Sequence, residues 1–405
     1  MAFSSAELSF LLADCAAGSP LINDATTYQL TKKSLVQDLS QLRKAHGDHA
    51  RALVELVQAR RAGKLPEDWL MDSESTQQAT PPIVAAWRAE VLKGAGVEAA
   101  VDVTCSIGTE LHALAEAGLR VLGGDLDQQR LRMARFNVPE VPVVRMDALR
   151  PTFAFAGAHK SGVVVADPAR RNSSGRIAKL EDLQPPLPEL MGCYDNLVVK
   201  CAPGIDYSEF DGHVEVVSVD GGVKETCLYS PGILGRGRRA VVMGASSVKE
   251  TVSSDDPETD RVGAVGRYIV DPDGAIVRAG LVRQYAARHG LWQLDPHIAY
   301  LTGDELPTGV RGFEVLEAVP LKKARPALVG LGAKSVEILV RGVDVDPDEL
   351  RKKWKLKKGA GSAGATHSGA SAADSAFSVV VTRVGEGGAA KAVAYICRAR
   401  RSSRG

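Results

Sequence analysis

Residues 101–124, VDVTCSIGTELHALAEAGLRVLGG, followed directly by Asp125, Leu126 and Asp127, restrict the fold more than any other stretch of this chain. They read as a buried strand, a tight turn, an amphipathic helix and a second buried strand ending on carboxylates. That order suits a nucleoside ligand. The turn brings backbone N–H groups close to it, and an acid ending the second strand can accept both ribose hydroxyls. Further on, GVVVADPAR (162–170) is another apolar strand running into Asp-Pro at its carboxyl end, the edge at which ligands bind in doubly wound sheets.

The pattern extends in both directions. Residues 1–95 read as a helical region, with Leu8, Leu11 and Leu12, then Leu35, Leu39 and Leu42, then Leu53, Leu56 and Val57 at helical spacing. Thr80 before Pro81 and Pro82 predicts a capped helix start. From 96 to 245 strands are expected at 99–103, 120–124, 141–146, 162–167, 196–201, 214–219, 225–228 and 240–243, with helices at 110–117 and 128–137 between the early ones. Continuous apolar strands alternating with helices predict an α/β Rossmann-like doubly wound sheet covered on both faces, with an antiparallel finish. The polar, acidic stretch 246–260 reads as a loop or boundary. It opens a connecting α/β region over 246–329 that includes a helix at 279–289. Residues 330–405 read as a small α+β domain, with strands at SVEILV, FSVVVTRV and KAVAYICR, a helix at 347–354, and a Gly/Ala/Ser-rich disordered loop over 359–376.

At 405 residues about two to three domains are expected. A hydrophobic fraction of 45% permits a sizeable core, and a net charge of +1 confines any polyanion to a local basic patch. Cys15, Cys105, Cys193, Cys201, Cys227 and Cys397 form no C-x-x-C pair and no zinc spacing with histidine, as expected of reduced thiols without a metal. With no membrane-length apolar run and no signal-peptide pattern, a soluble cytoplasmic protein is expected.

The turn DVTCSIGTE holds a single glycine, whereas nicotinamide and flavin sites place three to accommodate a pyrophosphate. A cofactor without phosphates needs no such opening, which favours S-adenosylmethionine over NAD. The ordered set DVTCSIGTE, LGGDLDQQRLRMARFN, VRMDAL and VVVADPAR resembles the motifs of class I S-adenosylmethionine-dependent methyltransferases, over about 97–245. The resemblance implies that Asp102, Thr104 and the turn Ser106, Ile107, Gly108 and Thr109 hold the amino-acid end of the cofactor. It places Asp125 and Leu126 at the ribose, and Asp147 with Ala148 at the adenine. Asp127 either shares the ribose role or caps the following helix. Asp167, Pro168, Ala169 and Arg170 stand where nucleic-acid methyltransferases of this class carry Asp-Pro-Pro-aromatic or Asp-Pro-Pro-Arg. Asp167 would accept a hydrogen bond from the target amine, with Pro168 and Arg170 completing the catalytic motif. Trp87, Phe153, Phe155 and the Arg170 plane are candidates to stack on a base, and Thr80 and Arg171 to contact substrate.

Three further features bear on substrate. The segment from Gln77 through Thr80 to Ala85 resembles a lid in trimethylguanosine-synthase-like enzymes; a capped amphipathic helix is the structural alternative. Cys201 stands near the nucleophilic cysteine of RNA pyrimidine-5 methyltransferases, with Lys200 beside it to depress the thiol pKa, although its flanks favour a packed strand-end cysteine. Basic residues crowd the C-terminal domain, Lys352, Lys353 and Lys355 among them. With residues 330–398 they resemble the THUMP-like domain of a bacterial methyltransferase family, which implies RNA as partner. The expected function is methylation of a base nitrogen of structured, tRNA-like RNA. The alternatives are a small-molecule or protein methyltransferase, and a catalytically silent RNA-binding protein.

Overall fold

The computed structural model describes residues 3–14, 19–150, 162–169, 171–172, 175–358, 376–385 and 391–402, and only the backbone of 171–172, 176 and 357–358. The chain divides into two compact units, Met1–Gly237 with Met243–Lys249, and Arg238–Val242 with Glu250–Gly405.

The first unit opens with helices α1 (Ser5–Asp14), α2 (Pro20–Thr27), α3 (Leu35–His46), α4 (Ala50–Arg61), α5 (Ser73–Gln78) and α6 (Pro82–Gly94). Then follow β1 (Ala99–Asp102), α7 (Thr109–Glu116), β2 (Arg120–Asp125), α8 (Gln128–Asn137), β3 (Val143–Arg145), β4 (Gly162–Ala166), β5 (Arg171–Asn172), β6 (Gly175–Arg176), α9 (Leu187–Cys193), β7 (Leu197–Cys201), β8 (His213–Val219), β9 (Gly222–Tyr229) and α10 (Pro231–Leu234); β10 (Gly237–Met243) and β11 (Val248–Ser253) come next in the chain and fall mostly in the second unit. Among the described residues of the first unit the sheet runs β8-β9-β7-β4-β1-β2-β3. Strands β3, β2, β1, β4 and β7 are parallel, and β9 enters antiparallel between β7 and β8. This is the doubly wound α/β sheet read from the sequence, with its antiparallel finish.

The strands are continuously apolar because both faces are covered. Ala100, Val163, Val165, Val198, Cys227 and Tyr229 pack under Ala85, Ala89 and Leu92 of α6 and Leu114 of α7. On the other face Val101, Val164, Ala166, Leu197, Val199 and Cys201 meet Leu187 and Leu190 of α9. The N-terminal helices share a core with α7 and α8, where Leu53, Leu56, Trp69 and Met71 are buried with Ile107, Leu111, Leu131 and Val138. Strand β2 passes close beneath α7. A Cβ on Gly123 would lie 2.6 Å from Leu111 Cδ1, so this strand carries glycine where β3 beside it carries Val143.

The structure alters three local expectations. Thr80 does not cap α6: Pro81 holds the cap position, no side-chain cap bond forms, and the buried Thr80 hydroxyl has no partner among the described residues. Proline at the cap position offers no side-chain acceptor, and proline at N1 suits the first turn without a donor. The stretch 246–260 contains β11, an edge strand whose charged residues hide its pattern. The helix expected over 279–289 is α12 (Val282–Arg288), which starts later than read because Gly280 at φ 69° parts it from a separate helix, α11 (Gly274–Arg278).

The second unit adds β12 (Tyr268–Val270), β13 (Trp292–Asp295), β14 (Ile298–Gly303), β15 (Arg311–Pro320), α13 (Ala324–Gly330), β16 (Ser335–Arg341), α14 (Pro347–Trp354), β17 (Lys357–Lys358), β18 (Ala376–Val384) and β19 (Lys391–Arg401). These strands form one sheet in the order β13-β14-β12-β15-β19-β18-β16-β17. The boundary drawn at 329/330 therefore falls inside a sheet. Strand β15 pairs with β19 from Arg311↔Arg401 to Pro320↔Val393, a contact with no local signature. The Gly/Ala/Ser-rich loop lies outside the described residues up to Ala376, which opens β18.

Candidate active site

The carboxyl ends of β1, β4 and β7 open on a cavity of about 360 Å³. Its walls include Asp102, Thr104, Ser106, Ile107 and Thr109 after β1, Asp167 and Pro168 after β4, Lys200 of β7, and Gln77, Gln78 and Thr80 from the end of α5 onward. Helix α5 is fixed by a reciprocal cap: Asp72 Oδ1 accepts from Ser75 N–H at 2.7 Å, and Asp72 N–H donates to Ser75 Oγ at 3.1 Å. That cap sets where Gln77–Thr80 meet the cavity.

The turn after β1 needs two left-handed residues, Ser106 at φ 49° and Gly108 at φ 98°. At Gly108 a Cβ would crowd Val138 Cγ2 at 3.0 Å. The serine departs from the glycine expected at such a position, and its strained backbone is held by a hydrogen bond: Ser106 N–H donates to Asp125 Oδ2 at 2.9 Å. Asp125 Oδ1 accepts from Asp127 N–H at 2.9 Å, so Asp125 ties the first and second strand ends together. Burial raises its pKa against those two hydrogen bonds. Asp127 caps α8, accepting from Gln129 and Arg130 N–H, the second of the two roles open to it. Leu126 beside it is 61% exposed. Asp147 accepts from Leu149 N–H at 3.0 Å, and the Ala148 carbonyl accepts from Tyr194 Oη at 2.7 Å. Neither Asp125, Leu126 nor the Asp147–Ala148 pair lines the cavity beside Asp167.

A chain of charges runs behind the cavity on the α6–α7 face of the sheet. Arg88 of α6, 1% exposed, donates to Glu110 Oε1 and Oε2 at 2.7 and 2.8 Å and also to Glu225 of β9. Lys200 Nζ lies 3.2 Å from Glu110 Oε1 and 2.9 Å from Asp167 Oδ2. Thr104 Oγ1 accepts the Asp167 backbone N–H at 2.6 Å and approaches Asp102 Oδ1 at 3.3 Å. Burial would raise the Glu110 pKa, but Arg88 and Lys200 outweigh it and hold it at about 2. Asp102 goes the other way. Burial pushes it up to about 7, with Glu110 and Asp167 adding to the rise and Lys200 and the Thr104 N–H opposing it.

Other residues singled out from the sequence lie elsewhere. Trp87 does not line the cavity; its indole N–H donates to Glu215 Oε1 at 3.0 Å beneath α6. Cys201 is wholly buried on the α9 face, opposite Lys200, because successive strand residues face opposite sides. Lys200 therefore serves the cavity and not the thiol. Arg170, Phe153, Phe155 and the side chain of Arg171 lie outside the described residues. Lys352, Lys353 and Lys355 are exposed at the end of α14 in the second unit. Two arginines of the same basic region are paired, Arg341 with Asp271 and Arg400 with Glu314. The sequence reading missed Arg88, Glu110 and Glu225, although a lone charge inside an apolar strand or helix face signals a buried pair. Among the described residues no group of three or more His, Cys, Asp or Glu is arranged to hold a metal, and no helix is long and apolar enough to cross a membrane.

The chain is similar to known proteins in both sequence and fold. The family model described as "THUMP domain-like" matches residues 310–399. Two uncharacterized S-adenosylmethionine-dependent methyltransferases of Mycobacterium tuberculosis, from strains CDC 1551 and H37Rv, are each 44% identical over 382 residues, covering 88% of this chain and 99% of theirs. A crystal structure from Porphyromonas gingivalis W83, whose description proposes a methyltransferase, superposes with a TM-score of 0.68 at 18% identity over 98% of this chain and 99% of that one, a likeness of fold. The chain belongs to the class I S-adenosylmethionine-dependent methyltransferases, with a THUMP-like domain at its C-terminus.

Proposed function

We propose that this enzyme transfers the methyl group of S-adenosylmethionine to a base nitrogen of a structured, tRNA-like RNA. The observation that carries the reading is the meeting of Asp102 and Asp167-Pro168 on the walls of one cavity. A buried carboxylate with its pKa raised to about 7 suits a ligand that brings its own ammonium, as the amino-acid end of the cofactor does. The cofactor fits the residues present: Asp102 would take its ammonium, and Thr104 with the turn Ser106, Ile107, Gly108 and Thr109 its amino-acid end. Asp125 and Leu126 would take the ribose side, and Asp147 and Ala148 the adenine. Bound there, it supplies an electrophilic methyl group on a sulfonium.

The chain's own contribution is alignment. Asp167 accepts an N–H of the target amine and so turns the nitrogen lone pair toward the methyl group, with Pro168 stiffening the backbone behind it. Thr80, whose buried hydroxyl has no partner among the described residues, would be satisfied by substrate. Arg170 and Arg171 follow Asp167 in sequence and would meet the RNA. The exposed lysines Lys352, Lys353 and Lys355, within the THUMP-like match, would contact its phosphates. We further propose the division read from sequence between a helical region (1–95), a methyltransferase domain (96–245), a connecting α/β region (246–329) and a basic THUMP-like domain (330–405), the last two sharing one sheet.

Nucleoside mass spectrometry of RNA from cells with and without the gene tests the reading. One methylated base should disappear with the gene, and purified enzyme should restore it in vitro. Identical nucleoside profiles, together with no transfer to total tRNA from the deleted strain, would overturn RNA as substrate.

A further inference from the structure

Lys200 joins the buried ion chain to the reaction cavity. In the strand LVVKC, Val198 and Lys200 face α6 and α7, and the parallel register that pairs Ala166 with Val199 puts Lys200 beside Asp167. Its side chain is 4% exposed. Withdrawing an ammonium from water to this degree is costly, and Glu110 already receives two hydrogen bonds from Arg88. An apolar side chain of similar length would fill the same space without that cost. What the ammonium adds is a hold on Asp167. The Asp167 backbone is fixed separately by Thr104, whose hydroxyl also lies against Asp102. The Thr104 hydroxyl thus links the Asp102 carboxylate to the Asp167 backbone, and the Lys200 charge acts on both carboxylates.

We propose that Lys200 is a positioning residue of the methyl-transfer site: anchored on Glu110, it holds the Asp167 carboxylate in the orientation that receives the target N–H, and its charge keeps Asp102 anionic for the cofactor's ammonium. The inference rests on the roles given to Asp102 and Asp167 above. Among the described residues the charged and titratable groups on this face are Arg88 of α6, Glu110 of α7, Asp102 of β1, Cys105 in the turn after it, Asp167 after β4, Lys200 of β7, His213 and Glu215 of β8, and Glu225, Cys227 and Tyr229 of β9. Arg88 is committed to Glu110 and Glu225, so removing Lys200 takes away the cation that acts on Asp102 and leaves the carboxylates Glu110 and Asp167 beside it.

The test measures S-adenosylhomocysteine affinity by calorimetry from pH 5.5 to 8 on the full chain, wild type against Lys200→Met and Lys200→Arg. Affinity falls at low pH as Asp102 takes a proton. In Lys200→Met this fall should move upward by about one pH unit, while Lys200→Arg, which keeps the charge, leaves it in place. Should Lys200→Met not fold, Lys200→Gln carries the same comparison, since its amide still donates to Glu110 and Asp167 without charge. A profile for the folded uncharged variant that superimposes on wild type overturns the proposal. Transfer of labelled methyl to total tRNA from a deletion strain gives the second readout. Lys200→Met should lower kcat about 100-fold with little change in the KM for RNA, and a kcat close to wild type overturns the hold on Asp167. If wild type itself methylates none of that RNA, the RNA reading fails, and the binding profile still decides the role of Lys200.

Discussion

Replacing Arg88 by Met should be among the most damaging changes available in this chain. Arg88 is 1% exposed and satisfies two carboxylates, Glu110 through a forked pair of hydrogen bonds and Glu225 through its other terminal nitrogen. Methionine fills most of the volume but takes the guanidinium from both acids, stranding Glu225 in the core and leaving Glu110 to Lys200. Removing one partner of a buried ion pair costs about 3–5 kcal/mol, against a total stability of about 5–15 kcal/mol for a typical protein. Glu110→Gln should cost less than Arg88→Met, because it leaves Arg88 with Glu225 and Lys200 with Asp167. The exposed pair Arg120–Glu98, at 3.7 Å, is the control and should contribute about 0–1 kcal/mol.

The sign with pH separates electrostatics from lost packing. In the wild type Glu110 sits at about 2, below its ordinary 4.5, so its contribution is full above 4.5 and is lost only as pH falls through 2. In Arg88→Met the stranded Glu225 holds its proton more tightly folded than unfolded. Its penalty therefore grows as pH rises and shrinks toward pH 5. Urea denaturation at pH 5 and 8, followed by the fluorescence of Trp87 in the same helix, reads both effects. A loss below about 1 kcal/mol, or an equal loss at both pH values, would refute this account of the ion chain.

Three further outcomes are expected. Asp102 has its folded pKa raised from 3.8 to about 7, so its contribution to stability is greatest below 3.8 and is lost as pH climbs through 7. Asp102→Asn should thus melt higher than wild type at pH 8 while losing cofactor affinity, and wild-type affinity for S-adenosylhomocysteine should drop about fivefold from pH 7 to pH 6; a flat profile by calorimetry counts against the assignment. Cys201→Ala should transfer methyl groups at the wild-type rate, since the thiol is fully buried on the face away from the cavity; trapping of a 5-fluoropyrimidine RNA adduct through Cys201 would contradict this. Replacing Lys352, Lys353 and Lys355 together by Ala should weaken tRNA binding and flatten the log-affinity against log-salt slope by about two to three, read by filter binding across a salt series.

The cofactor sheet was legible because its signals are local and its strands are covered on both faces. In VDVTCSIG and GVVVADP the apolar run, the break and the terminal acid lie within a dozen residues, and the structure puts Asp102 and Asp167 at neighbouring strand ends. Within 330–405 the elements were legible, with α14 found at Pro347–Trp354 as read, while β12 to β15 before them had no individual reading. Its extent was not. The pairing of β15 with β19 spans the whole C-terminal region, and nothing in either strand's own sequence names its partner.

The ion chain was hidden for a related reason, and it shows where a reading of motifs stops. Arg88, Glu110, Lys200 and Glu225 each look like an isolated charge in PIVAAWRAEVLKG, TELHALAE, LVVKC and GVKETCLY. Their meaning depends on three-dimensional pairing, since a charge cannot stay in an apolar layer without a partner. Motif logic tied Lys200 to Cys201 because they are adjacent in sequence, yet strand alternation sends adjacent side chains to opposite faces. The same alternation joins Lys200 to Val198, and through the sheet register to Asp167. A lone charge in a buried strand is best read together with the residues two positions away and those on the neighbouring strand. Applied to LVVKC and GVVVADP, that rule brings Lys200 to the Asp-Pro motif.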